Sequence, residues 1–193
     1  MLDTIRVSIS DFTNDKISKE NGWDTTKKGL IYDYKKIKLA NKASIFMSYY
    51  SWSRSLVLHF SAAKVQNGTN AIPYDFDRSG AVESIITKVV EDELSIKVST
   101  KDMLVCRLDL NLDFVFKSED RANAAMDFAE KILPARYERR FDYETGLTSQ
   151  TRKGNGVRVY RKDKDKHLPK GLREEMDPTV RFEFQLNRKA ATR

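Results

Sequence analysis

Arg107-Leu108-Asp109-Leu110-Asn111-Leu112-Asp113-Phe114 is the stretch that decides how this chain is read. Residues two apart on a strand share a face. The leucines and Phe114 therefore line one face, directed to the core, and Arg107, Asp109, Asn111 and Asp113 line the other. Val180-Arg181-Phe182-Glu183-Phe184-Gln185-Leu186-Asn187 repeats the pattern, with Arg181, Glu183, Gln185 and Asn187 opposite an apolar set. In Leu56-Val57-Leu58-His59-Phe60-Ser61, His59 shares a face with Val57 and Ser61. In Val157-Arg158-Val159-Tyr160-Arg161-Lys162, Arg158, Tyr160 and Lys162 point together. An antiparallel sheet ordinarily keeps one solvated face, so alternation in any single strand says little. Carboxylates, a histidine and a tyrosine flanked by cations, all in separate strands, say more. If those strands are neighbours, they assemble a site.

Working outward, further strands are expected over Thr4–Ser10, Ser44–Trp52 and Ser55–Ser61, the last two forming a hairpin, and over Met103–Phe116, Thr148–Arg152, Val157–Lys162 and Thr179–Arg188. Lys153-Gly154-Asn155-Gly156 supplies the residues of a tight turn. Two helices are expected. In the first, over Ser79–Glu93, Val82, Ile85, Ile86, Val89 and Val90 recur at helical spacing. The second runs over Ser118–Leu133, with Ser118 as N-cap, Glu119 and Asp120 in the first turn and Pro134 at its end. Many strands with two helices between them predict an α+β fold: a mostly antiparallel central sheet with helices packed on one face. The chain reads as a single domain, residues 1–193, and the polar loop from Asn67 to Arg78 is a place where function often lies.

The 193 residues are 40% hydrophobic and 33% charged, the balance of a globular protein. No apolar run reaches the ~18 residues of a membrane span. The start, MLDTIRVSIS, reads as a strand and lacks signal-peptide order, so a cytoplasmic location is expected. A lone Cys106 fits a reducing compartment and excludes zinc sites built from several cysteines. The net charge of +7 is localised: from Thr151 to Arg193 there are 13 Lys and Arg against 6 Asp and Glu, whereas the first 150 residues hold 22 of each. A localised positive field favours a polyanion, nucleic acid first and an anionic membrane surface second. No basic amphipathic helix supports the membrane reading.

The residue types on the polar faces carry a specific chemistry. Asp109 and Glu183 offer hard oxygen ligands and His59 an imidazole nitrogen, a set that suits Mg²⁺ or Mn²⁺ with open positions. Such a metal polarises a phosphodiester. Tyr160 can attack phosphorus, but a phenol with a pKa of ~10 needs help to ionise. Lys162 and Arg158, on its face, are expected to favour the phenolate. The product is a phosphotyrosine ester that conserves the bond energy for resealing. Arg107, Arg158 and Arg181 are candidate DNA contacts. Serine–histidine catalysis lacks its turn motif around His59 or His167, and no phosphate-binding Gly-rich loop supports ATP use.

At these residues the chain resembles the gene II replication initiator family of filamentous phages. His59-Phe60-Ser61-Ala62-Ala63-Lys64-Val65-Gln66-Asn67-Gly68-Thr69-Asn70 resembles the family's acidic-then-Ser-Pro-x-Lys segment followed by Gly-x-Asn. Arg107-Leu108-Asp109 resembles its Arg-hydrophobic-Asp strand, Val159-Tyr160-Arg161-Lys162 its tyrosine strand, and Val180-Arg181-Phe182-Glu183 its Arg-Phe-Glu strand. Met1 to Arg6 is also similar. The resemblance implies an HUH-type nuclease fold and site-specific nicking of one origin strand. It further implies covalent attachment of the 5′ end to Tyr160, later strand closure, and a divalent metal on Asp109 and Glu183. DNA is the implied partner, with a host replication helicase and a transient dimer as further ones, in a bacterial cytoplasm. His59 departs from the family's carboxylate, and a glutamate often found past the tyrosine is not evident. The sequence after Glu183 is short, which suggests an isolated nuclease domain or a compact relative.

Several residues admit two readings. Lys64, Asn67 and Asn70 fit contacts to DNA or the formation of a turn. Tyr137 and Tyr143 fit a second nucleophile or ordinary loop packing. Trp23 and Trp52 fit stacking on unpaired bases or core packing. A protein that binds an origin or single-stranded DNA without turnover would keep the basic region and the sheet but not the reaction.

Overall fold

The computed structural model describes residues 2–28, 30–70, 72–133, 139–143, 146–150, 155–166, 168 and 170–187. Tyr137, His167, Pro134 and the Lys153-Gly154 turn lie outside them, as does the side chain of Tyr143. The chain forms two compact units, residues 2–107 and 108–193.

In the first unit, β1 (Leu2–Ile9), β2 (Asp24–Lys28), β3 (Leu30–Lys38), β4 (Ser44–Tyr50) and β5 (Ser55–Ser61) form a run in the order β2-β3-β4-β5-β1, each contact antiparallel. Strict alternation sorts β4 and β5. Ile45, Met47, Leu56 and Leu58 are wholly buried, with Phe60, Val7 and Ile9 beside them, while Phe46, Ser48, Val57 and His59 face the other way. Full burial of such a side chain stabilises by about 1.5–3 kcal/mol. The helices α1 (Ala62–Asn67) and α2 (Ser79–Leu94) supply the rest of this core through Ala62, Ala63, Val65, Val82, Ile86, Val89, Val90 and Leu94. Trp23 is buried at 2% exposure, so it packs and does not stack on bases, whereas Trp52 is exposed.

Local sequence explains the short α1. The Ser61 hydroxyl accepts the Lys64 amide as N-cap, and Gly68 closes the helix in the left-handed region at φ 76°. Any other residue at Gly68 would be strained, and its Cβ would meet the Asn41 carbonyl oxygen at 3.2 Å.

β6 (Leu104–Val115) crosses the boundary between the units. The second unit continues with α3 (Glu119–Ile132), β7 (Arg139–Tyr143), β8 (Gly146–Gln150), β9 (Gly156–Arg161), α4 (Lys170–Glu175) and β10 (Thr179–Asn187). Its strand order is β6-β10-β9-β8-β7, with β10–β9, β9–β8 and β8–β7 antiparallel. Ser118 caps α3, its hydroxyl accepting the Arg121 amide at 3.4 Å. Ala122 and Ala129 of α3 join Leu147, Val157, Val159 and Val180 in a buried cluster, flanked by Met126, Phe182 and Phe184. The α+β class and the antiparallel strands follow the sequence expectation. Sequence reading omits β2, β3, β7, α1 and α4. No helix among the described residues is long and apolar enough to cross a membrane.

β6 corrects one expectation. Asp109 and Asn111 are buried, at 2% and 1% exposure, while Leu112 and Phe114, assigned to the core, are about half exposed at 51% and 48%. The alternation is real, but the two most deeply buried positions are polar, while Asp113 on the same face is exposed.

Candidate active site

The second unit builds one polar sheet face. In the β9–β10 register Arg181 lies across from Tyr160 and Glu183 across from Arg158. Val157, Val159, Val180, Phe182 and Phe184 turn to the cluster beneath α3, so Arg158, Tyr160, Arg181 and Glu183 share the opposite side. Arg181 reaches β6 there. Its Nε and Nη2 donate to the two oxygens of Asp113, both at 2.6 Å, a two-pronged ion pair. That contact puts Asp113, and by alternation Asp109 and Asn111, on the face of Tyr160 and Glu183. Asp109, Arg181 and Glu183 are 2%, 1% and 5% exposed. Burial of charge is costly unless it is paired, and here pairing is visible: Arg158, half exposed, donates to Glu183 Oε1 at 3.3 Å.

Tyr160 is half-buried, and its electrostatics differ from the sequence expectation. Burial pushes its phenol well above the usual value. The Arg181 guanidinium pulls it back by charge, the Glu183 carboxylate pushes up, a hydrogen bond from Arg181 pulls down, and Asp165 adds a smaller upward push. The cation that most favours the phenolate is therefore Arg181, from the neighbouring strand. β9 ends at Arg161, and Lys162 opens a single 3-10 turn over Lys162–Lys164. Its ammonium is buried, pairs with Asp165 Oδ2 at 3.0 Å, and sits 6.0 Å from the centre of the Tyr160 ring. It contacts the ring's π-face, at the limit of a cation–π interaction.

Two supports of Tyr160 escape sequence reading. Gly146 on β8 lies across from it, and a Cβ there would come within 2.6 Å of the Tyr160 Cβ. Only glycine lets β8 approach at that point. Arg161, on the reverse side of β9, donates to Asp163 at 3.0 and 2.6 Å, to Asn123 at 2.6 Å and to Glu119 at 2.6 Å, fastening the end of β9 to the first turns of α3. Asp163 also accepts the Thr179 amide at 2.9 Å. Burial alone would raise the Asp163 carboxyl, but the Arg161 and Thr179 hydrogen bonds outweigh it and hold the group below the ordinary carboxylate range. Glu119 is lowered too, by hydrogen bonds from Arg161 and Lys164.

The remaining sequence candidates fall elsewhere. Arg181, read as a DNA contact, is a buried partner of Asp113 and Tyr160. Arg158 is the most exposed cation of this face. His59 belongs to the first unit, between Arg6 of β1 and Phe46 of β4 across the strands. Arg107 is half-buried on β6, also within the first unit. Lys64 and Asn67 lie on α1; the Asn67 amide donates to the Pro73 carbonyl at 3.1 Å, which is the turn-forming reading of that residue. Asn70 follows in the same loop, half-buried. Among the described residues, no three His, Cys, Asp or Glu side chains gather around a common metal position. Asp109 and Glu183 remain as two buried carboxylates on one face, a donor set that fits Mg²⁺ or Mn²⁺ whose other ligands are water and phosphate oxygens.

No family model matches this chain, and no curated protein does. Among solved structures, the chain is similar to a rolling-circle replication initiator protein from Geobacillus stearothermophilus, with a TM-score of 0.42 and 13% identity over 97% of this chain and 73% of that one.

Proposed function

We propose that this chain initiates rolling-circle DNA replication by nicking one origin strand with Tyr160. The observation that carries the reading is the shared polar face on which Tyr160, Arg181, Glu183 and the acidic residues of β6 meet. A phenol this buried is a poor nucleophile until its proton leaves. Arg181 would stabilise the phenolate, because it both hydrogen-bonds to Tyr160 and exerts the strongest opposing pull on its charge. The phenolate oxygen forms a bond to phosphorus, the bond from phosphorus to the 3′ oxygen breaks, and the leaving oxygen takes a proton to become a 3′ hydroxyl. The 5′ end stays on Tyr160 as a phosphodiester, and reversal by a 3′ hydroxyl reseals the strand. Asp109 and Glu183 would hold a Mg²⁺ or Mn²⁺ ion, which when bound supplies Lewis-acid polarisation of the phosphate. His59, the third ligand expected from the sequence, lies in the other unit, across from Arg6 and Phe46. Exposed Arg158 and the basic last quarter of the sequence would meet the DNA backbone. A host helicase, a transient dimer, a phage origin and action in a bacterial cytoplasm belong to the same reading through the resemblance to the gene II family.

The upward shift of the Tyr160 phenol favours a second reading, an origin-binding or single-stranded DNA-binding protein without turnover, in which the tyrosine is structural. One experiment separates the two. The protein is incubated with Mn²⁺ and a pool of single-stranded oligonucleotides labelled at the 3′ end, then denatured and resolved by electrophoresis. Nicking leaves label on the protein for the wild type and none for Tyr160→Phe. Equal signals from both, or no adduct at any pH up to the alkaline range that ionises the phenol, remove Tyr160 as nucleophile.

A further inference from the structure

The outer face of the first unit carries a pattern that nicking does not use. The registers of β3, β4, β5 and β1 place Lys36, Phe46, His59 and Arg6 in one row directly across four strands. Two rings are thus flanked by two cations. The Phe46 and His59 rings lie 6.4 Å apart at 40°, and the Lys36 ammonium sits 5.3 Å from the Phe46 centroid. Beside the row is a groove of about 230 Å³ lined by Arg6, Tyr34, Phe46, Tyr50, Val57 and His59 among others. Trp52 extends the aromatic set, edge-on to Tyr50 at 6.4 Å.

The face departs from what a solvated sheet surface requires. Phe46 is 43% exposed and Tyr34 36%, while the same strands bury Ile45 and Met47 completely on the other side. The core of this unit is therefore complete without these rings. Among the described residues, neither Arg6 nor Lys36 is paired with a carboxylate. Asp24 lies in the adjacent row, across from Tyr34. The groove is smaller than the ~300–1,000 Å³ typical of pockets for a whole small molecule. It suits one flat ring.

We infer that this row is a platform for unpaired nucleobases of single-stranded DNA, with a base stacked over Phe46 and His59 and the flanking phosphates met by Arg6 and Lys36. Charge selects an anion, and the rings select one that also carries flat faces. Single-stranded nucleic acid combines both, because every base has a π-face and every linkage a negative charge. Duplex DNA presents its phosphates but hides its base faces, so it gains only from the cations. His59 serves here as a stacking ring. The platform needs unpaired bases but no cleavage, so its failure and the failure of the Tyr160 reading appear in separate assays.

The test is binding of a fluorescein-labelled oligothymidylate, followed by anisotropy in EDTA. Phe46→Ala should weaken binding about tenfold or more, and Phe46→Leu, which keeps apolar bulk without a π-face, should weaken it similarly. Phe46→Trp should bind at least as well as wild type. Lys36→Gln should lower the salt dependence by about one released counterion. Because Phe46 is exposed, thermal melts of its variants should match wild type. Phe46→Ala and Phe46→Leu binding indistinguishable from wild type, a duplex bound equally well, or binding abolished by EDTA would each overturn the platform.

Discussion

The two units use the same element, an antiparallel sheet, in opposite ways. In residues 2–107 the inner face of β4 and β5 is apolar and fully buried, and the outer face holds half-exposed rings and cations. In residues 108–193 much of the polar face of β6 and β10 is buried: Asp109, Asn111, Arg181, Glu183 and Gln185 are all at 9% exposure or less, while Asp113 on the same face is exposed and Leu112 and Leu186 are about half exposed. Alternation tells which side chains share a face, not which face is withdrawn from water. Burying polar groups opposes folding unless each finds a partner. A sheet that does so along two neighbouring strands has spent stability on arrangement, as functional sites commonly do.

That contrast breaks most sharply at Arg181. It is the hub of the buried face, bonded to Asp113 by two prongs and to Tyr160 by a further hydrogen bond. Arg181→Leu should cost about 3 kcal/mol, the low end of the scale for removing one member of a buried ion pair, because the Asp113 side chain is itself partly open to water. Urea unfolding monitored by circular dichroism measures it. The double change Arg181→Leu with Asp113→Leu should recover much of the loss, because no charge is then left stranded. Arg181→Lys should not rescue, since an ammonium cannot fork to both Asp113 oxygens. A loss under about 1 kcal/mol, typical of surface pairs, would show that the polar face is wet and that the contrast between the units is one of degree only.

A smaller effect sits on the reverse side of β9. Asp163 titrates below its unfolded value, near 3.9 for a free aspartate. A depressed carboxylate contributes stability that is fully present above the unfolded value and is lost as pH falls through the folded one. Asp163→Asn should therefore lower stability at neutral pH by about 1–3 kcal/mol, the range for hydrogen bonds to charged groups. The gap in melting temperature between wild type and variant should narrow below about pH 4 and close in stronger acid. A gap that stays constant from neutral pH to pH 3 would assign Asp163 to packing alone.

Much of this was legible in the residues, and the limits have physical causes. The helices at Ser79–Leu94 and Glu119–Ile132 announce themselves by apolar spacing and, for the second, by its Ser118 cap. β3 is hidden because Tyr34, Lys35, Lys36 and Lys38 blur the alternation, although Ile37 lies in register with Ile45. α1 is short, but its Ser61 cap and Gly68 terminator are both present as signals. The common face of Asp109, Tyr160 and Glu183 follows from periodicity within strands together with the pairing of β9 and β10 and the Arg181–Asp113 contact, and only the first can be read from a single sequence. The cation beside the phenol could not be read at all. Same-strand neighbours Arg158 and Lys162 look closest in sequence, whereas the cross-strand position of Arg181 depends on register. Gly146 likewise shows its role only through the strand it faces.

The smallest predicted effect tests the apolar side of the same strand. Leu112 alternates with Asp109, Asn111 and Asp113 as a core residue should, yet it is 51% exposed. Burial of about half a leucine supports a cost well below that of a core truncation, and threonine brings the β-branched shape that strands favour. Leu112→Thr should therefore change stability by less than about 1 kcal/mol, with adduct formation unaffected. The same substitution at Leu58, wholly buried in the first unit, should cost several times more. Equal losses at the two leucines would mean that the face of β6 bearing Leu112 and Phe114 is covered in solution. The strand would then be buried on both sides, and the polar face would no longer be the distinguishing mark of the second unit.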